Sequence, residues 1–542
     1  MSSVSTELSK IGGQRIEFAK TSHEQNHSNF RYLGDFSRRF DLPQYIPSLV
    51  RVFSLARKLG FRGLLVDSIS CEDSPLLVEE NQALASEDAE YVRSDIYKFS
   101  FFKEELEDRI CPDSFLGYSV LKVDRNSRGR SLCAHIFEAV LTLPRFPARN
   151  NFLQCKRRYR VTNTLGDNFE VDGALYAQQN GKTFVCAHVA LRTALACIMP
   201  DGDIAYQKIS QFARKRGGLQ PAEMEQVFLG LQIPFDKIVF DPCQHNAACL
   251  SMPVPPYPRA LYGFTESACP ALLGFQLTGR DSWHIVPVIG HTFNEDSWVP
   301  PSNQGYFQTK NFRFFSSEQW LSSHIMHDDY FGPYYCLPRQ FLSRENFRLL
   351  YGISLQKSAL QSIYAEVHAI GFFRELAVEI KKHSFEDPWM DLFLAFESKN
   401  GLILRAVYLS KEEYLKHLQI CAKKKTVPEE NNFESLKTAI EPVLPEHFWM
   451  VEASMPELFS VSRKKLGEIT FSLSIESNTV SINPHSARLP SYIIVRDRED
   501  SAGQKSSTLL PSWSSWRSCP FFMSGHTPVY STNTDMDIVD YQ

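Results

Sequence analysis

The chain predicts an α+β protein of several regions, and three observations carry that expectation. Leu49, Val52, Phe53, Leu55, Ala56 and Leu59 recur at helical spacing. Ile469, Phe471, Leu473 and Ile475 alternate with polar residues, as on a half-buried strand. Between these segments, a helix-forming run from Thr183 to about Met199 is followed by an apolar strand headed by His284. At roughly 150 residues per domain, the 542 residues imply two to four domains, ample to bury real cores.

Taken in order, residues 1–30 are rich in Ser, Gln, Asn and Lys and predict a flexible N-terminus. Residues 31–150 predict a mixed α/β region. Its helix begins at Ser48 as N-cap and stops at Gly60, and Gly63-Leu64-Leu65-Val66 follows as a buried strand. Strands over 118–123 and 137–143 close this region, and Glu87-Asp88-Ala89-Glu90 reads as a solvated face. Residues 151–345 hold the candidate chemistry. In the C-terminal α/β region, 346–498, strands over 389–396 and 402–409 would flank a hairpin turn at Lys399-Asn400-Gly401. Ser410-Lys411-Glu412-Glu413 is a capping box opening a helix through Ile420. Residues 499–542 predict a flexible tail whose Trp513, Trp516, Phe521 and Phe522 would dock.

Composition excludes several functions. Lys plus Arg is 58 against 62 for Asp plus Glu, so a net charge of −4 offers no field for nucleic acid. Lys156-Arg157-Arg158-Tyr159-Arg160 and Arg214-Lys215-Arg216 have no aromatic array around them and read as solvated faces. No P-loop or GxGxxG is present, and Cys243, His245 and Cys249 fit no zinc spacing, so neither cofactor nor metal is expected. The 12 cysteines form no CxxC pair, and no signal peptide or membrane span is evident. A cytoplasmic protein with reduced thiols follows. Its oligomeric state is not legible.

Chemistry concentrates around Cys186. After the Asn180-Gly181 turn, Cys186 falls in the first turn of a helix, where unpaired N–H groups favour a thiolate nucleophile. Gln179, upstream, would aim its amide at the oxygen of a tetrahedral intermediate, with the Cys186 N–H as second donor. His188 lies two residues on, cannot face Cys186 across a helix, and is assigned to packing. His284 heads the strand 100 or so residues later and is the expected general base, with His291 the weaker choice. Asn294 and Asp296 follow soon after that strand. Asp328 or Asp329, ending a short strand before Gly332-Pro333, is the better orienting group.

The set Gln179, Cys186, His284 and Asp328 or Asp329 resembles the papain-like cysteine peptidase superfamily. It is most similar in style to the bacterial peptidases that process double-glycine leader peptides. Gly217-Gly218-Leu219-Gln220-Pro221-Ala222-Glu223 and the helix after it resemble that family's second helix, and the resemblance covers residues 170–340 only. It implies a Cys-bearing helix packed on an antiparallel sheet bearing His and Asp, and a thiol hydrolase of peptide or isopeptide bonds acting on a protein or peptide substrate. Three departures are visible: Gln179 precedes Cys186 by seven residues rather than six, Ala187 stands where the family usually has Gly, and roughly 30 extra residues separate the His284 strand from His327-Asp328-Asp329. The same residues would serve a transglutaminase-like acyltransferase, and the departures leave an inert papain-like interaction module as the alternative.

Overall fold

A computed structural model describes the chain continuously over residues 46–104, 111–142, 155–163, 166–183, 186–199, 202–215, 218–239, 257–277, 283–294, 313–343, 347–355, 359–382, 388–395, 401–423, 432–462, 464–476, 479–489, 492–496 and 507–511, with shorter pieces elsewhere. It is mixed α+β, and its three large sheets are antiparallel except for one pair of strands.

The first sheet is a meander. Ile16–Glu17, Gly63–Ile69, Arg93–Phe102, Phe115–Arg125 and Ser131–Leu141 lie side by side in chain order. The predicted helix is Pro47–Lys58, capped at Ile46 rather than Ser48, and Gly60 turns the chain out of it at a φ of 81°. Proline at the first helical position explains the shift, since its missing N–H costs nothing there. Phe53 of this helix meets Phe99 and Phe101 of the sheet edge-to-face. Ile16–Glu17 pairs with Leu65 and Val66, so this piece of the expected flexible N-terminus is an edge strand.

The central sheet runs Gly332–Pro338, Leu321–Asp328, Trp283–Phe293, Ala271–Leu277, Phe347–Leu355, Phe235–Val239, with Asn151–Phe152 also on the Trp283–Phe293 strand. It therefore continues past residue 345. Helix Cys186–Ala196 packs on it, burying Val189, Ala190, Leu191, Ala194 and Leu195 against Leu272, Ile285 and Ile353. Pro221–Gly230 is a helix with proline at its first position, and the Glu223 carboxylate accepts the Gln220 N–H.

The third sheet has eight strands, from Phe307–Gln308 to Ser507–Pro511, with the long helix Ala359–Ile380 against it. Lys411–Lys423 is a helix with the predicted Ser410/Glu413 box. Residues 388–394 are helix rather than hairpin strand: Pro388 starts it, and Met390 and Phe393, three apart, share its buried side. Two parts of the expected tail are strands, Ser507–Pro511 against Tyr492–Arg496 and Phe521–Phe522 against Lys464–Lys465. Backbone pairing at a sheet edge, not composition, orders them. Cys243, His245, Cys249, Asp296, Trp513 and Trp516 lie outside the described residues. Among the described residues no helix is long and apolar enough to cross a membrane.

Candidate active site

Cys186 is the first residue of its helix and half-buried, so its sulfur sits where unpaired backbone N–H groups leave partial positive charge. The turn before it is fixed by Asn180. Its side-chain oxygen accepts from the N–H groups of Lys182 and Thr183, and its amide donates to Glu80 at 2.6 Å and Thr183 Oγ1 at 2.7 Å. Asn180 is thereby fully occupied as a structural group.

His284 is the second residue of the Trp283–Phe293 strand. Its Nε2 lies 3.4 Å from Asp328 Oδ2 and 3.2 Å from Asp329 Oδ1, and its ring lies close enough to the Cys186 side chain for that group to favour the charged ring. Burial opposes a charge on this ring. The hydrogen bond to Asp328 and the adjoining Cys186 side chain, with both carboxylate charges, outweigh burial and push its pKa up to about 10.

The two acids differ. Asp328 ends its strand, and its Oδ1 accepts the N–H groups of Tyr330 at 2.8 Å and Phe331 at 2.9 Å. Burial would raise its pKa, but the His284 hydrogen bond and charge and these two N–H groups hold it below the usual carboxylate range. Asp329 is buried, and neither of its oxygens makes a hydrogen bond among the described residues. Burial raises its pKa to about 6, against the pull of His284 and with the push of Asp328. Asp328 is the acid hydrogen-bonded to His284; Asp329 lines a small cavity together with Cys186, Thr193, Ile285, Pro287 and His327.

The other predicted residues fall elsewhere. Gln179 is half-buried and makes no hydrogen bond among the described residues, while its neighbour Gln178 is locked, accepting from Ser48 Oγ at 2.6 Å and Ile136 N at 2.9 Å. His291 is fully buried and paired with Glu266, seven residues along the strand from His284, about 23 Å at strand rise. It is not the base. Asn294 lies ten residues from His284, with its N–H on Trp320 O at 2.7 Å, too far to orient the ring. His188 packs as expected: Nε2 meets Ser210 Oγ at 3.2 Å, and burial lowers its pKa to about 4.

Three supports were not legible in the sequence. Arg51 donates to the carbonyls of Pro333 at 3.1 Å and Tyr334 at 2.6 Å, bracing the turn after the two acids. Gly274 pairs with Tyr351, and a Cβ there would lie 2.3 Å from the Tyr351 ring, whose phenol sits within electrostatic reach of Cys186. Arg192, on the Cys186 helix, is fully buried and bidentate to Asp203 at 2.8 and 2.7 Å. Exposed aromatics follow the acids: Tyr330, whose ring meets that of His284 with centroids 6.2 Å apart, and Phe331, with exposures of 65% and 57%. No family model, curated protein or solved structure matches this chain.

Proposed function

We propose that the protein is a papain-like thiol hydrolase that cleaves peptide or isopeptide bonds through Cys186, His284 and Asp328. The observation that carries this reading is one imidazole, His284, hydrogen-bonded to the Asp328 carboxylate and adjoining the Cys186 side chain at the start of the Cys186–Ala196 helix. His284 takes the thiol proton and stays charged beside Asp328. The Cys186 sulfur attacks the scissile carbonyl, and the developing oxyanion is met by the Cys186 N–H and the Gln179 amide. The imidazolium gives its proton to the leaving amine. Water, deprotonated by the same ring, then releases the acid from the thioester. Tyr330 and Phe331 offer apolar area on which an extended peptide lies beside the nucleophile.

The test is digestion of a diverse peptide library, with new N-termini read by mass spectrometry. Termini produced by the wild type and missing from Cys186→Ser support the reading. Equal termini from both, or none from either, overturn it in favour of an interaction module.

A further inference from the structure

A second cysteine–histidine–acid arrangement lies outside the site above. Cys133 and His135 are two apart on the Ser131–Leu141 strand and so point to one face. The Cys133 sulfur, a His135 ring nitrogen and an Asp124 oxygen all lie within 4.8 Å of one another, and His135 Nδ1 is buried with no hydrogen-bond partner among the described residues. His135 is buried, with Nε2 3.1 Å from Glu80 Oε1 on the Pro75–Glu87 helix. Glu80 also accepts from the Asn180 amide, and the Cys133 thiol donates to Asn180 O at 3.7 Å. The cluster therefore abuts the turn leading into Cys186, but no part of the proposed hydrolysis uses it.

The remaining charges facing the pair are accounted for. Lys122 Nζ is 2.5 Å from Asp124 and 3.9 Å from Glu80, so Asp124 is neutralised by Lys122 and Glu80 is left to His135. Lys182, on the Asn180 turn, is paired with Asp88. Burial opposes a charge on His135, yet Glu80 and the adjoining Cys133 side chain outweigh burial and Lys122 and bring its pKa to about 9. A sulfur beside an imidazolium is the arrangement that makes cysteine nucleophilic.

We propose that Cys133 is a second nucleophilic thiol, set by His135 and Glu80, and the site at which small hydroperoxides oxidise this protein. Cys133 lies mid-strand in register with Asp124, away from any helix N-terminus, so nothing there stabilises an acyl oxyanion. It is half-buried, which suits a small polar oxidant. The Cys133 thiol passes its proton to His135, the thiolate electron pair attacks one peroxide oxygen and the O–O bond breaks. The departing hydroxide takes the proton from His135 and leaves as water. The thiol is oxidised by two electrons to a sulfenic acid while hydrogen peroxide is reduced to water.

The test uses Cys186→Ser protein, so its failure is distinct from failure of the hydrolase reading. It is exposed to hydrogen peroxide with dimedone, which traps sulfenic acids, and mapped by mass spectrometry. Cys133 is expected to be trapped at least about tenfold faster than the exposed Cys111 of the same molecule. Adding Glu80→Gln should slow Cys133 at least about fivefold and leave Cys111 unchanged, which also reports that the chain is folded. Trapping of Cys133 no faster than Cys111 in the Cys186→Ser protein overturns the proposal, as does an unaltered Cys133 rate in folded Glu80→Gln.

Discussion

His284 carries opposite instructions from burial and from its neighbours, and the neighbours win. Its folded pKa of about 10 lies above the ordinary 6.5, so its pairing stabilises the fold fully below that value and is lost as pH rises through 10. Asp329 behaves in the opposite sense. Folded, it keeps its proton to about pH 6; unfolded, it releases it near 4. Above pH 6 the fold therefore bears the cost of an ionised carboxyl with no hydrogen bond. Asp329→Asn is expected to be more stable than wild type by about 1–3 kcal/mol at pH 8, a gain shrinking as pH falls through 6 and absent below about 4. Urea unfolding at pH 8, 6 and 4 reads this directly; a loss of stability at pH 8 would contradict it. The sequence named both acids but did not separate them. Their difference comes from the His284 hydrogen bond, made to Asp328 alone, and from two backbone N–H groups, of Tyr330 and Phe331, which no side-chain pattern encodes.

The helix Pro47–Lys58 was legible from its periodicity, but its work was not. Ser48 holds Gln178 ahead of Cys186, and Arg51 holds the carbonyls of Pro333 and Tyr334 behind the acids. Arg51→Ala should cost about 2 kcal/mol, since two charge-assisted bonds to carbonyls are lost. Amide exchange at Tyr330 and Phe331 should quicken, because the turn that presents them to Asp328 loses its brace. Unchanged exchange there would show that the turn stands without the helix. The Cys186 helix, the His284 strand and the strand ending in Asp328 were likewise read from local pattern, because each is amphipathic or continuously apolar. Residues 388–394 were misread because a short apolar run fits helix and strand alike, and Pro388 tips it to helix. The strands in both terminal segments and the Gly274–Tyr351 contact rest on distant partners, which local pattern cannot show.

Across the whole chain, the central and third sheets share a buried chain of charges. Glu266, on the Tyr257–Glu266 helix, pairs with His291 of the central sheet and with Arg405 of the third. Arg405 continues to Glu452, which meets Lys465 at 2.5 Å; Lys465 pairs with Glu468, and Glu468 with Arg488 at 2.7 Å. Each of these residues alone reads as a solvated position, and only the sheet's inner face explains them. Removing Arg405 leaves two buried carboxylates short of a cation, Glu266 with His291 alone and Glu452 with Lys465 alone, so Arg405→Met should destabilise by about 3–5 kcal/mol at pH 8. The loss should lessen toward pH 5, as the orphaned carboxyls take up protons. Denaturant midpoints at both pH values test this, and a pH-independent loss would point to packing instead.

The central claim is that His284, oriented by Asp328, makes Cys186 the nucleophile. Its most direct measurement is the rate at which Cys186 is alkylated by a peptide-like electrophile, mapped beside the other cysteines in wild type, His284→Ala and Asp328→Asn. The account predicts that Cys186 reacts first, slows at least about 100-fold in His284→Ala and roughly tenfold or more in Asp328→Asn. Labelling of Cys186 no faster than of the exposed Cys111, or unchanged in folded His284→Ala, would contradict it.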